Sequence, residues 1–287
     1  MSTPIIAVSY MTNANAFLRE GVGPAMEKLS QLRISHLEIS QHIRFDEDTI
    51  PQFLEASRKW GIGICAISCR FDGTVENPVP EFLWQGQPLK IWSAERDFAQ
   101  LVRLCRQFDC KYLRFAGFPG MALRSEQQVR AYMGVLETIA AGFADHGITL
   151  CVHNHADEFM MVDGKWLIDW AMALAPHLQM ELDVKNAFVC GVDPCDQLDR
   201  FSGRVPLMHI QDLQVCPSGD GKDVWLKPEY RGVPAGQGNM NWKKISASAK
   251  RAGTQYLIIE QSLFYGQDPY ACIDAAANTL RHCTGEL

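Results

Sequence analysis

Eight short runs of β-branched and apolar residues, separated by longer amphipathic stretches, constrain this chain more than any other feature of it. They are Ile5 to Tyr10, His36 to Ser40, Gly63 to Ser68, Tyr112 to Ala116, Thr149 to Asn154, Gln179 to Val184, Pro206 to Gln211, and Tyr256 to Glu260. Such alternation marks parallel strands joined by crossover helices. Eight units are the number that closes a (β/α)8 TIM barrel, and a single α/β domain over residues 1–287 has room for them.

Helix signals fall between the runs. Ser125-x-x-Gln128 forms a capping box ahead of Val129, Leu136, Ile139 and Phe143, stopped by Gly147. Asp48 precedes Pro51, Phe53, Leu54 and Trp60, closed by Gly61, and Asp268-Pro269 opens a last helix with Ile273 and Leu280. One helix is therefore expected per strand. Two long connections, Arg70 to Ile91 and Leu213 to Asn239, follow strand ends, which places them as lids on the C-terminal face where barrel active sites are built. Gly236-Gln237-Gly238 reads as a turn shaping that face, because no strand directly precedes it and no third glycine opens a helix.

A content of 47% hydrophobic and 21% charged residues, with 22 Gly and 14 Pro, excludes a disordered, collagenous or low-complexity chain. The 27 Lys and Arg against 33 Asp and Glu give a formal charge of −6, which argues against nucleic acid as a partner. No apolar stretch approaches the ~20 residues needed to cross a bilayer, and Met1-Ser2-Thr3-Pro4 lacks the features of a secretion signal, so a soluble cytoplasmic protein is expected. The ten cysteines include no Cys-x-x-Cys and read as reduced thiols, several of them core residues such as Cys65, Cys105 and Cys151.

Polar groups gather at one end of successive runs: Glu38, His153, Asp183, His209 and Glu260. Asp, His and Glu at the tips of the sixth, seventh and eighth strands supply converging hard and borderline donors, which one divalent metal ion would neutralise. Each residue alone has a plainer reading. His209 in an apolar strand resembles a hydrogen-bonded interior residue, Asp183 can cap the next turn, and Glu260 can pair with a surface cation. The densest stretch is His153-Asn154-His155-Ala156-Asp157-Glu158, where a period of two puts His153 and His155 on one face and Glu158 just beyond the strand. Two imidazoles and a carboxylate so close can bind metal or move protons, or form a polar loop after a strand.

At these residues the sequence resembles the xylose isomerase-like TIM barrels, which include sugar phosphate isomerases and epimerases, inosose dehydratases and apurinic endonucleases. The resemblance covers nearly the whole chain. It rests on Gly147-Ile148-Thr149-Leu150 leading to His153-Asn154-His155 and Glu158-Phe159, then Leu182-Asp183 and Gly191-Val192-Asp193-Pro194. It continues through Arg204-Val205-Pro206-Leu207-Met208-His209-Ile210-Gln211-Asp212, Pro234-Ala235-Gly236-Gln237-Gly238-Asn239 and Ile259-Glu260-Gln261.

The resemblance implies one divalent ion, Mn, Mg, Co or Zn, held by a fifth-strand carboxylate, a sixth-strand Asp, a seventh-strand His and an eighth-strand Glu. Asp183, His209 and Glu260 match the last three. His153 falls at the first, leaving that ligand open among His153, Glu158 and a water. Asn186 stands where many relatives have a His, so a trinuclear zinc site of the endonuclease kind lacks its parts. Gln211 often corresponds to Lys, which bears on substrate.

The implied activity is isomerisation or epimerisation of a sugar or keto-sugar through an enediolate, with Glu260 as base and His155, Glu158 or Lys185 as the second acid/base. The alternatives are a lyase or dehydratase on a keto-inositol, keto-sugar or 3-keto-glycoside, and a non-catalytic sugar-binding barrel. The expected partner is a small sugar or polyol, with neither nucleic acid nor membrane, and a homo-oligomer is compatible. Trp84, Trp92 and Trp225 offer an aromatic wall for a sugar ring or the filling of a lid, and Arg70, Arg114 and Arg231 offer a phosphate clamp.

Overall fold

The computed structural model describes residues 2–40, 44–71, 92–119, 122–216, 229–261 and 264–285. Eight strands lie within a residue or two of the expected runs: β1 (Ile5–Ser9), β2 (His36–Ile39), β3 (Gly63–Ser68), β4 (Tyr112–Ala116), β5 (Thr149–His153), β6 (Gln179–Asp183), β7 (Leu207–Ile210) and β8 (Tyr256–Ile259). Each pairs in parallel with its neighbours in sequence, and β1 pairs with β8 to close the barrel.

The helices are α1 (Tyr10–Glu20), α2 (Val22–Gln31), α3 (Ile50–Trp60), α4 (Phe98–Gln107), α5 (Glu126–Ala144), α6 (Leu167–Leu174), α7 (Val184–Val189), α8 (Pro194–Arg200), α9 (Trp242–Ala252) and α10 (Pro269–Thr284). The expectation of one helix per strand is corrected at two places. Gly21, at φ 87°, separates α1 from α2, and Asp193 with Pro194 restarts the chain as α8 after α7. Ser125 caps α5 by accepting from the Gln128 N–H at 3.4 Å, and Asp268 caps α10 by accepting from the Ala271 N–H at 3.2 Å. Asp48 does not cap α3. Asp46 takes the N–H groups of Asp48 and Thr49, each at 3.1 Å, while Asp48 pairs with Arg44. Gly61 ends α3 at φ 67° as expected.

The strand faces divide the interior. Leu37, Ile39, Leu113, Leu150, Leu182, Met208 and Leu257 pack outward against the helices. Inside, Ala7, Cys65, Ala66, Tyr112, Cys151, Leu207 and Ile258 plug the lower barrel. Two residues further along five of these strands the inward side chain is Ser9, Arg114, His153, His209 or Glu260. The interior therefore changes from apolar to charged within one strand period, at the C-terminal end.

Trp92 is buried, with its indole N–H donating to the Phe45 carbonyl at 2.9 Å, so it fills the structure rather than walling the mouth. Trp84 and Trp225 lie outside the described residues, with residues 72–91 of the first long connection and 217–228 of the second. Arg231 lies on an antiparallel hairpin, Asp212–Cys216 with Glu229–Val233. Beyond it, Asp212 accepts from the Gly236, Gly238 and Met240 N–H groups and from the Trp242 indole at 2.6 to 3.2 Å. A Cβ on Gly238 would stand 2.2 Å from Asp212 Oδ1 and 2.4 Å from the Leu213 carbonyl oxygen, so only glycine fits that turn. All ten cysteines are free thiols. Among the described residues no helix is long and apolar enough to cross a membrane.

Candidate metal centre

Closure of the barrel brings His153, Asp183, His209 and Glu260 together at the ends of β5, β6, β7 and β8, with one donor atom from each within 4.8 Å of the others. Asp183 and His209 are paired across β6 and β7. The rings of His153 and His209 lie 4.5 Å apart between centroids. Three of the four are fully enclosed, and Glu260 keeps 14% of its side chain accessible at the mouth.

Beneath the quartet sits a charged layer. His209 Nε2 is 2.9 Å from Glu38 Oε2 and 3.4 Å from Glu181 Oε1, and its Nδ1 is 3.0 Å from Glu260 Oε2. Arg114 Nη2 donates to Glu38 Oε1 at 3.1 Å, Arg114 Nε lies 3.5 Å from Glu181, and Ser9 donates to Glu38 at 3.3 Å. Arg114 is thus committed to the interior and does not form a phosphate clamp. Glu38, Glu181 and His209 form a second group of donors, and Arg114 already lies against its two carboxylates.

The electrostatics follow from this crowding. Burial disfavours a charged His209, yet Glu181, Glu38 and Glu260 outweigh it and raise its pKa well above the usual value. Burial likewise opposes ionised Glu260 and Glu38. For Glu260, the charge of His209 and its hydrogen bond override that and hold the carboxyl at about 2. For Glu38, Arg114 and His209 hold it well below the carboxylate range. Burial pushes Glu181 well up, with the Glu38 charge adding to it, and pushes Asp183 to about 6 beside Glu260. Burial also keeps His153 neutral, helped by His209 and His155.

Asp183 fulfils two readings at once. Its Oδ1 accepts from the Asn186 N–H at 2.8 Å, capping α7, while Oδ2 is buried without a hydrogen-bond partner. Asn154 fixes the backbone here, accepting from the Asp183 N–H at 2.8 Å and donating to its carbonyl at 3.3 Å. His153 Nδ1, both Glu181 oxygens and Arg114 Nε are also buried without an aligned hydrogen bond, although His153 Nδ1 is 3.2 Å from Glu181 Oε2. Buried polar atoms are seldom left so. Asp183 Oδ2, without a hydrogen-bond partner beside two imidazoles and Glu260, fits a divalent cation, whereas the Glu181 oxygens, His153 Nδ1 and Arg114 Nε face one another in the layer beneath.

The remaining sequence candidates are placed differently. Glu158 is buried outside the quartet, where its oxygens accept the Phe118 N–H at 2.5 Å and the His155 N–H at 2.6 Å. Burial raises its pKa to about 7 against those two hydrogen bonds. His155 stands at the mouth, its ring edge-on to His153 at 4.8 Å, and enclosure with the nearby Arg114 charge lowers its pKa. Lys185 is half-buried in the first turn of α7, where its charge acts on Asp183 and His153. Gln211 Nε2 donates to Glu260 Oε2. Sequence reasoning missed Glu181 and the interior role of Arg114. The signal for Glu181 was present, since Glu181 and Asp183 are two apart and share a strand face.

A closed parallel barrel with histidine and carboxylate donors converging at its C-terminal mouth defines the class of protein. Within that class, residues 27–279 match the xylose isomerase-like TIM barrel family, and the chain belongs to it. Among solved structures it is similar to a sugar phosphate isomerase/epimerase from Parabacteroides distasonis, at 14% identity and a TM-score of 0.68 over 98% of this chain and 94% of the other. It is similar also to the probable 3-DHS dehydratase AsbF of petrobactin synthesis from Bacillus anthracis, at 14% identity and a TM-score of 0.64 over 96% and 98%. A third is the IolI protein with a bound zinc atom, at 14% identity and a TM-score of 0.63 over 98% of each chain. A comparison with curated protein sequences finds no match.

Proposed function

We propose that the protein is a metal-dependent isomerase or epimerase of a sugar or keto-sugar, acting by removal of a proton next to a carbonyl. The observation that carries this reading is the convergence of His153, Asp183, His209 and Glu260 at the mouth of the barrel. A divalent ion held by those four supplies the polarisation that acidifies a C–H beside a carbonyl.

The chain's own groups handle the proton. Glu260 reaches the mouth, with Oε2 held by Gln211, so its carboxylate is oriented to accept a proton from the substrate carbon. His155, neutral near pH 7 and edge-on to His153, can hold a proton at the mouth, and Lys185 beside Asp183 offers a further donor. Glu158 acts by fixing the His155 backbone. Return of the proton to the same carbon gives epimerisation, and its return to the neighbouring carbon gives isomerisation.

Loss of a β-substituent from the same carbanion gives a lyase. Likeness to a probable dehydratase over 96% of the chain favours that second reading. Both are tested together in deuterated water with a panel of keto-sugars. A competent substrate gains deuterium at the α-carbon or loses its β-substituent, and Glu260→Gln suppresses either outcome at least a hundredfold. Wild-type exchange in Glu260→Gln would overturn the assignment.

A further inference from the structure

Half of the donors in the quartet are imidazoles, and each ring meets a buried carboxylate through its other nitrogen. We propose, resting on the functional reading above, that this is a two-imidazole, two-carboxylate centre tuned toward borderline cations such as zinc or cobalt(II), with Glu38 and Glu181 as the positioning residues of its histidines. Imidazole nitrogen suits zinc and cobalt, whereas magnesium and manganese favour oxygen-rich sites.

The carboxylates below decide which nitrogen each ring presents. His209 Nε2 faces Glu38 Oε2 at 2.9 Å, which holds the ring proton there and leaves Nδ1, on the Glu260 side, as the donor. His153 Nδ1 faces Glu181 Oε2 at 3.2 Å, which leaves Nε2. A carboxylate behind a ligating histidine fixes its tautomer and strengthens its lone pair. Glu38 is itself held by Arg114 at 3.1 Å and Ser9 at 3.3 Å, so the support is anchored in the barrel wall. Glu181 contacts both rings, reaching His153 with one oxygen and His209 with the other. It sits on the same strand face as Asp183, so one strand provides both a donor and the support for two others.

The test uses the full chain without a histidine tag, stripped by a chelator. Zinc, cobalt and manganese affinities are measured by competition with a chromophoric chelator, metal content by elemental analysis, and the cobalt form by its visible d–d spectrum. The expected result is one zinc or cobalt per chain. Glu181→Gln and Glu38→Gln should each weaken zinc 10- to 100-fold and shift the cobalt spectrum, with thermal melts in chelator confirming that each variant folds. His153→Glu should lower the zinc-to-manganese affinity ratio at least tenfold.

An unchanged ratio in His153→Glu overturns the proposal, as does zinc affinity within twofold of wild type with an unaltered cobalt spectrum in both glutamine variants. Zinc bound as described, with no proton exchange in any keto-sugar, would overturn the isomerase reading while upholding this centre. Turnover supported with the imidazole-dependent preference absent would do the reverse.

Discussion

Arg114→Met is the sharpest perturbation of the charged layer, because it keeps an unbranched side chain in the wall and removes only the cation. Arg114 is 4% exposed and Glu38 is fully buried, with Arg114 Nη2 at 3.1 Å from Glu38 Oε1. Removing one partner of a buried pair costs about 3–5 kcal/mol, because the remaining charge is stranded. His209 on the other Glu38 oxygen keeps the loss toward the lower end. For a chain of 287 residues, an unfolding entropy of about 2.1 cal/mol/K per residue converts that range into a fall in Tm of about 5–8 °C.

The pH dependence has a definite sign. In the wild type Glu38 has a depressed pKa, so its contribution is present above the unfolded carboxylate value and is lost as pH falls through the folded one. In Arg114→Met that depression is relieved, so the gap between wild type and variant widens as pH rises from about 4 to 8. Thermal melts at fixed scan rate, in chelator, across that range measure it. Glu38→Gln added to Arg114→Met removes the stranded charge and should recover at least half of the loss. A fall under about 2 °C, or one the double variant does not relieve, would refute the reasoning.

Glu158, raised to about 7 by burial, contributes stability that is full below its unfolded value near 4.5 and lost as pH rises through 7, on the order of 3 kcal/mol in all. Relative to Glu158→Gln, the wild type should therefore lose stability between pH 5 and 8, and parallel pH profiles would count against a buried carboxyl here. Gly238→Ala forces a Cβ to 2.2 Å from Asp212 Oδ1 and should cost about 2 kcal/mol or more, with a changed near-ultraviolet signal from Trp242. Gly134→Ala, in α5 with nothing within 4 Å, should instead raise stability by about 0.5–1 kcal/mol, and the pair of melts checks both signs.

The strands were legible because their apolar runs end abruptly at polar residues, and that boundary is set by burial rather than by long-range pairing. The doubled helices were less so. Gly21 and Asp193-Pro194 are punctuation that ends or restarts a helix, and sequence alone does not say which. The choice between His153 and Glu158 was likewise open, because both sit near the end of β5. It is the backbone N–H of Phe118, beyond β4, that draws Glu158 away from the quartet.

The charged layer was hidden for a further reason. Glu38 and His209 are 171 residues apart in sequence, and only closure of the barrel sets them 2.9 Å apart. Glu38 was legible as a strand-end polar group and Glu181 shares a face with Asp183, but a charged residue within a strand ordinarily reads as a solvent-facing or edge position, so nothing in the sequence paired either of them with Arg114. Once the three meet, the count of charges becomes informative. Among the described residues, four carboxylates, Glu38, Glu181, Asp183 and Glu260, share the upper barrel with Arg114 and, at its edge, Lys185. A layer with that imbalance is stable only if acids take up protons, if histidines become cationic, or if a divalent cation enters. Glu181, Asp183 and His209 shift in the directions the first two require, and the orphaned Asp183 Oδ2 marks where the third would act.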